Sequence, residues 1–267
     1  MTNEDGASPK QLRQNRMAAL IFQRGTIRVD ALQEITGVSP MTLYRDLAEL
    51  ESRHVIHRSR GEVSAAASSL SETPFHFRLG QEVGAKTQLA DLAATLVQRG
   101  DSLLVDDSTS AHFVLEKALG VGQLTVVTNC QGPASLVATQ PNAELILLGG
   151  RYLRQLQAFY GPAANQALDG IRVDIAVTGA AAIENGIVLH PYEDVATFKR
   201  RVLGRTRRSV LVVTRSKFTR RALYEVCTLS DFDVVVTDLP ADDPQLDAAR
   251  DAGVHVITPP AAPEASG

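Results

Sequence analysis

Apolar positions recur every three or four residues through the first fifty positions, and beyond residue 100 they gather into short unbroken runs. The two patterns predict different structures. In QLRQNRMAALIFQ (11–23), Leu12, Met17, Leu20 and Ile21 fall on one side of a helix that Gly25 ends. TIRVDALQEITG predicts a second helix around Val29 to Ile35, closed by Gly37. Ser39 then caps and Pro40 opens a third helix over 40–53. Three short helices with a glycine-containing turn between the last two form a helix-turn-helix pattern. In HVIHRSRGEV, Val55, Ile56 and Val63 flank a basic turn, which predicts a β-hairpin wing.

Residues 64–76 begin SAAASSLSETP, a small, polar stretch of linker composition. A helix near 82–98 follows, built on Val83, Leu89, Leu92, Ala93 and Leu96. Seven apolar runs come next: SLLVD (102–106), LTVVT (124–128), ELILL (144–148), DIAVT (174–178), SVLVVT (209–214), DVVVT (233–237) and VHVIT (254–258). They lack polar alternation, and most are separated by enough chain for a helix. That is the pattern of parallel strands buried on both faces. The expectation is a two-domain α/β protein: a winged helix-turn-helix over 10–63, a linker over 64–76, and a mostly parallel-sheet domain over 77–258. The ends, 1–9 and 259–267, are expected to be disordered.

Composition narrows the class. The 267 residues are 44% hydrophobic and 21% charged, as in ordinary globular proteins. No apolar run approaches the ~20 residues of a membrane helix, and MTNEDGASPK is not a secretory signal. Cys130 and Cys227 have no metal-type spacing and read as reduced thiols. A cytoplasmic protein without membrane, metal or cofactor is expected. The net charge of −3 conceals an asymmetry: residues 10–61 hold nine Lys/Arg against five acids, or +4. A basic module on an acidic remainder fits nucleic-acid binding through one part of the chain.

On a helical wheel Leu43, Leu47 and Leu50 share one narrow arc, and Arg45 lies nearly opposite, flanked by Met41, Tyr44 and Ala48. In a major groove Arg45 can contact guanine, and Met41 or Thr42 can touch thymine methyls or phosphates. Ser39 and the first-turn amides suit a backbone phosphate. Arg58 and Arg60 in the wing reach adjacent phosphates on this reading. The helical pattern alone also allows a protein-binding module.

In the second domain, polar or glycine-bearing segments follow several strands: DDSTSAH (106–112), TNCQG (128–132), GGR (149–151) and TRSK (214–217). Ligands of open α/β sheets sit beyond the carboxyl ends of strands. Ser108, Thr109 and Ser110 precede a helix and would turn amides toward an anion; Asp106 suits sugar hydroxyls. Thr128, Asn129, Gly149 and Gly150 line the neighbouring loops. Ten basic residues and no acid lie between Lys199 and Arg221. Part of this run reads as a solvated helix face around 196–207, and Lys217, just past a strand, is the best placed for a ligand phosphate.

VSPMTLYRDLAELE resembles the recognition segment of DeoR-family bacterial transcriptional regulators, V-S-x-x-T-[IL]-R-R-D-L-x-x-L-E, with Tyr44 in place of the first arginine. The wing, Arg58 to Glu62, is a weaker match. The remainder resembles that family's effector domain, which is similar in fold to ribose-5-phosphate isomerase. Asp106 to Ser110 stand for D-S-G-T-T, Thr128 and Asn129 for T-N, and Leu148 to Gly150 for L-G-G. Glu193, Asp194 and Lys199 form an E-x-x-x-K-like stretch. Thr214 to Phe218 stand for D-x-[ST]-K-F, with Thr214 replacing an acid. Asp107 and Ser108 replace Ser and Gly, which charges and narrows the loop.

The resemblance covers about residues 11–258. It implies a homodimer or homotetramer that binds a double-stranded DNA operator. It also implies that a phosphorylated sugar or related anionic metabolite alters DNA affinity. The competing expectation is a sugar-phosphate isomerase with an appended module, in which Glu193 or Asp106 acts as base beside Lys217.

Overall fold

The computed structural model describes residues 8–260 apart from 54, 67 and 68, and apart from the side chains of 22 and 23. They form two compact units that divide between Gln81 and Glu82.

The first unit opens with α1 (Pro9–Arg24), whose N-cap Ser8 accepts a hydrogen bond from the Gln11 amide. A short strand β1 (Thr26–Arg28) leads into α2 (Val29–Thr36). Gly37, in the left-handed region at φ 65°, closes α2 and turns the chain toward α3 (Pro40–Ser52). The wing strands are β2 (Ile56–Ser59) and β3 (Glu62–Ala65). At its tip Arg60 and Gly61 both have positive φ, as a two-residue type I′ hairpin requires. β1 pairs with the outer side of β3, so the wing has three strands where the sequence pattern predicted two. Three residues are too few to carry their own periodic signal; Thr26–Arg28 is a strand because β3 offers it a partner.

Met17, Ile21, Leu32, Leu43, Leu47, Leu50, Ile56 and Val63 make one core, and Phe77 joins it from α4 (Phe75–Leu79). The linker expected at 64–76 is therefore shorter than composition implied. β3 runs to Ala65, the buried Ala66 donates its amide to Val55 O, and Phe75 and Phe77 are both buried. Burying a phenylalanine outweighs the preference of the surrounding small polar residues for water. Of the ends expected to be disordered, Pro9 opens α1, and 1–7 and 261–267 lie outside the described residues.

The second unit holds α5 (Val83–Ala94), β4 (Ser102–Val105), α6 (Thr109–Ala118), β5 (Leu124–Thr128), α7 (Gln131–Val137) and β6 (Ala143–Leu147). A hairpin, β7 (Arg151–Leu153) and β8 (Ala158–Tyr160), leads to α8 (Pro162–Asp169), β9 (Val173–Thr178), β10 (Ala182–Glu184), β11 (Ile187–His190) and α9 (Glu193–Leu203). Then come β12 (Thr206–Val213), β13 (Tyr224–Thr228), β14 (Val234–Thr237), α10 (Asp247–Asp251) and β15 (His255–Ile257).

All seven apolar runs become strands of one sheet in the order β15-β14-β12-β9-β4-β5-β6, every neighbouring pair parallel. Val105, Val177, Val210 and Val236 face the helices α5 and α6; Leu211, Val213 and Val235 face the side covered by α9 and α10. Both faces are dry, which is why the runs show no polar alternation. The chain proceeds outward through β4, β5 and β6, then returns to lay β9 on the other side of β4. The strand order thus reverses between β4 and β9, and a crevice beyond their carboxyl ends is where such sheets bind ligands. Among the described residues no helix is long and apolar enough to cross a membrane.

Candidate functional site

Helix α3 sorts its residues sharply. Leu43, Asp46, Leu47 and Leu50 are fully buried, and Met41, Tyr44, Arg45 and Ala48 are exposed on the opposite stripe. Ser39 caps the helix by accepting from the Thr42 amide at 3.3 Å, and its hydroxyl donates to Thr42 Oγ1 at 3.0 Å.

Asp46 was not singled out in the sequence, although it shares the arc of the leucines. Arg13 Nε donates to its Oδ2 at 2.6 Å, and Gln14 Nε2 donates to its Oδ1 at 3.2 Å. Glu49, one turn on, receives Lys10 at 2.6 Å and Gln14 at 3.0 Å. This network fastens α3 to α1. Burial pushes the Asp46 pKa up, but the hydrogen bonds from Arg13 and Gln14 outweigh it and hold the carboxyl below its ordinary value. A depressed folded-state pKa contributes stability that is present above the unfolded value and lost as pH falls through the folded one. Asp46→Asn is therefore expected to be less stable at neutral pH and to lose part of the decline on acidification, its profile converging on the wild-type one as pH falls, measured by denaturation midpoints between about pH 2 and 6. Superimposed profiles would show that the network does not hold in solution.

In the wing, Arg58 is occupied. Its Nη2 and Nε reach Glu51 Oε2 at 2.6 and 2.7 Å, and its amide donates to Oε1 at 3.2 Å. The residue expected to contact phosphate thus braces the wing against the end of α3. Arg60, at the tip, is exposed.

At the switch point of the second unit, Asp106 directly follows β4 and has no exposed surface. Its Oδ1 accepts from the Ser108 amide at 2.8 Å, and its Oδ2 from the Gly179 amide, just after β9, at 3.3 Å. Lys199 Nζ also donates to Oδ2, reaches Gly179 O at 3.1 Å, and lies 3.4 Å from Asp107 Oδ1. Lys199 is only 5% exposed, so it is not part of the solvated face expected of the helix around 196–207. It occupies the inner stripe of α9 with Val195, Phe198 and Val202, a lysine among apolar positions that a helical wheel can reveal. Burial works against its charge, but Asp106 and Asp107 outweigh that and hold the ammonium above its ordinary pKa.

The other expected effector residues fall into three groups. Ser108 caps α6 by accepting from the Ala111 amide at 3.3 Å, and Thr109 and Ser110 form its buried first turn. A Cβ on Gly179 would come within 2.1 Å of Ser108 Oγ, so the loop after β4 lies directly on the backbone after β9. Thr128 ends β5 and Asn129 follows it, both buried: Thr128 Oγ1 accepts from the Cys130 amide at 3.0 Å, and Asn129 Nδ2 donates to Phe159 O at 2.9 Å. Asn129 Oδ1 and the hydroxyl of Tyr160 are buried without a hydrogen-bond partner among the described residues. Burial, then the nearby charges of Asp107 and Asp106, raise the Tyr160 pKa, so Tyr160 belongs to this cluster although the sequence did not mark it.

Gly150 serves the backbone: at φ 153°, a Cβ there would lie 2.7 Å from Tyr160 O. Gly149 and Glu193 are exposed, and Asp194 pairs with Arg151. Lys217 is half-buried in the turn Arg215–Thr219 after β12, two strand positions from β4. In the same turn Glu82 Oε2 accepts from Thr214 Oγ1 at 3.1 Å and Ser216 Oγ at 3.0 Å. A carboxylate from a distant position thus stands beside Thr214, where the family pattern carries an acid.

Comparison with known proteins agrees with both units. The DeoR-like helix-turn-helix domain matches residues 13–69, and the DeoR C terminal sensor domain matches residues 81–239. The glycerol-3-phosphate regulon repressor of Escherichia coli is 30% identical over 230 residues, 85% of this chain and 90% of its own length. The HTH-type transcriptional repressor GlcR of Bacillus subtilis is 28% identical over 217 residues, 81% of this chain and 83% of that one. Among solved structures, ribose 5 phosphate isomerase A from Neisseria gonorrhoeae matches at a TM-score of 0.37 and 13% identity, covering 51% of this chain and 53% of its own. With a DNA-binding pattern over its first unit and a sensor pattern over its second, the chain belongs to the DeoR family of transcriptional regulators.

Proposed function

We propose that this protein is a cytoplasmic repressor of a sugar or carbohydrate metabolism operon, acting as a homodimer or homotetramer. It binds double-stranded operator DNA through Ser39, Met41, Thr42, Tyr44 and Arg45 of the recognition helix and Arg60 of the wing, with Arg58 holding the wing in place. The observation that carries the reading is the division of α3, with a dry leucine face locked by Asp46 and an opposite stripe whose charged member is Arg45. Relatives named as repressors of a glycerol-3-phosphate regulon and as GlcR support the carbohydrate setting.

The effector on this reading is a phosphorylated sugar or related small anion, held beyond the carboxyl ends of β4, β5 and β12. Asp106, Ser108, Thr109, Ser110, Thr128 and Asn129 supply that site together with Lys199 and Lys217. Gly149, Gly150 and Glu193 stand at its margin, with Gly150 allowing the close passage of β8. Asp106 accepts three hydrogen bonds inside the protein, which favours a binding role over that of a catalytic base. Release from DNA requires that the effector bind the low-affinity arrangement better than the DNA-bound one.

Fluorescence anisotropy of the full-length protein on duplexes from the control region beside its own gene tests the proposal. Preference for those duplexes over random ones, steep salt dependence, and release by a phosphorylated sugar are expected. Equal binding to random duplexes would overturn the repressor reading. In the same assay Lys217→Ala is expected to bind DNA normally and to lose its response to the sugar phosphate. A retained response would remove Lys217 from the site.

A further inference from the structure

The outer stripe of α3 carries a distinctive chemistry. Met41 is 84% exposed and Tyr44 55% exposed, and Ala48 continues the stripe beyond Arg45. Met41 and Tyr44 stand three residues apart on a helix, so their side chains are neighbours. The polar groups beside them are already engaged, since the Ser39 and Thr42 hydroxyls bond to each other. Each acid of α3 is already paired: Asp46 with Arg13 on the buried face, and, flanking the stripe, Glu49 with Lys10 and Glu51 with Arg58. The stripe therefore presents one cation, no acid, and a contiguous apolar pair. Its charge suits a polyanion, and its matched helix-turn-helix pattern names the polyanion as duplex DNA.

In the major groove the one apolar group on a base edge is the C5 methyl of thymine; the remaining positions offer hydrogen-bond donors and acceptors. We infer that Met41 and Tyr44 read thymine methyls on base pairs adjoining the pair contacted by Arg45. The operator half-site then contains a thymine step beside a guanine. A flexible thioether and a flat ring cover adjacent methyls without demanding hydrogen bonds, and excluding water from those methyls supplies the discrimination. This inference rests on the reading of α3 as the DNA-contacting helix.

Duplexes selected from a randomised pool by the full-length protein are expected to carry thymine next to the preferred guanine. Replacing that thymine by deoxyuridine removes the methyl alone. Binding is expected to weaken about fourfold per methyl, which is ~0.8 kcal/mol at 1.4 kcal/mol per factor of ten. Tyr44→Arg and Met41→Ala alter exposed positions and are each expected to erase the uridine penalty at one base pair, with Tyr44→Arg acquiring a guanine preference there. Equal affinity for thymine and uridine duplexes would overturn the inference yet leave sequence-selective DNA binding standing. A penalty that persists in both variants assigns the methyl to another residue and also overturns it. Selection of no sequence at all overturns both the inference and the reading beneath it.

Discussion

Lys199→Met is expected to lower stability of the full-length protein by about 3–5 kcal/mol, the usual consequence of removing one partner of a buried ion pair. Asp106 has no exposed surface and Asp107 only 2%, so solvent does not replace the lost ammonium. Two carboxylates side by side would then have to share the site, and one would take up a proton. Because that proton is bound in the folded variant and not in the unfolded one, the loss should grow as pH rises through neutrality, while wild-type Lys199, its pKa raised, stays charged. Methionine preserves most of the aliphatic stem, so packing against Val195 and Phe198 contributes little to the change. The measurement is urea denaturation of the variant beside Asp106→Asn and the double variant. Strong non-additivity is expected, the double variant being less destabilised than the sum of the two. A single-variant loss below about 1 kcal/mol, or simple additivity, would mean that the ammonium is not held between these carboxylates.

Arg45→Ala carries the largest expected effect on function. Loss of a bidentate guanine contact is expected to weaken specific DNA binding by about 1–3 kcal/mol and to relax the choice at one base pair. Because Arg45 lies on the exposed stripe of α3, thermal stability should hardly change. The comparison of specific with random duplexes separates this from a phosphate contact, whose removal weakens both alike and lowers the salt slope by about one. An unchanged selected sequence in the variant would exclude Arg45 from base readout.

The recognition helix was legible because every signal that defines it is local. Ser39, Pro40 and the leucine spacing at 43, 47 and 50 act within a few turns of one another, and the structure places each as expected. The sheet was legible for a related reason. A strand buried on both faces must be apolar at successive positions, and Val126, Val177 or Val235 announce that without reference to their partners. Charged residues drawn into the interior were harder to see. Asp46 and Lys199 both sit on apolar stripes, so a wheel could have flagged them as anomalies, but their partners Arg13 and Asp106 lie 33 and 93 residues away. Composition treated Lys199 as one of ten basic residues, and only its helical position among Val195, Phe198 and Val202 sets it apart from its solvated neighbours.

Sequence alone determined α1, α2 and α3 and the seven strands of the parallel sheet, where α3 begins, and which of its faces is apolar. These follow from backbone preference and from the tendency of contiguous apolar side chains to leave water, both of which act over short spans. Tertiary structure decided the destinations of the charges: Arg58 braces Glu51, Glu82 supplies a carboxylate beside Thr214, and Lys199 closes on Asp106 across the reversal of strand order. It also drew Phe77, expected at the start of the second domain, into the first unit's core. An ion pair depends on through-space distance and on the water excluded around it, and neither quantity exists until the elements have packed.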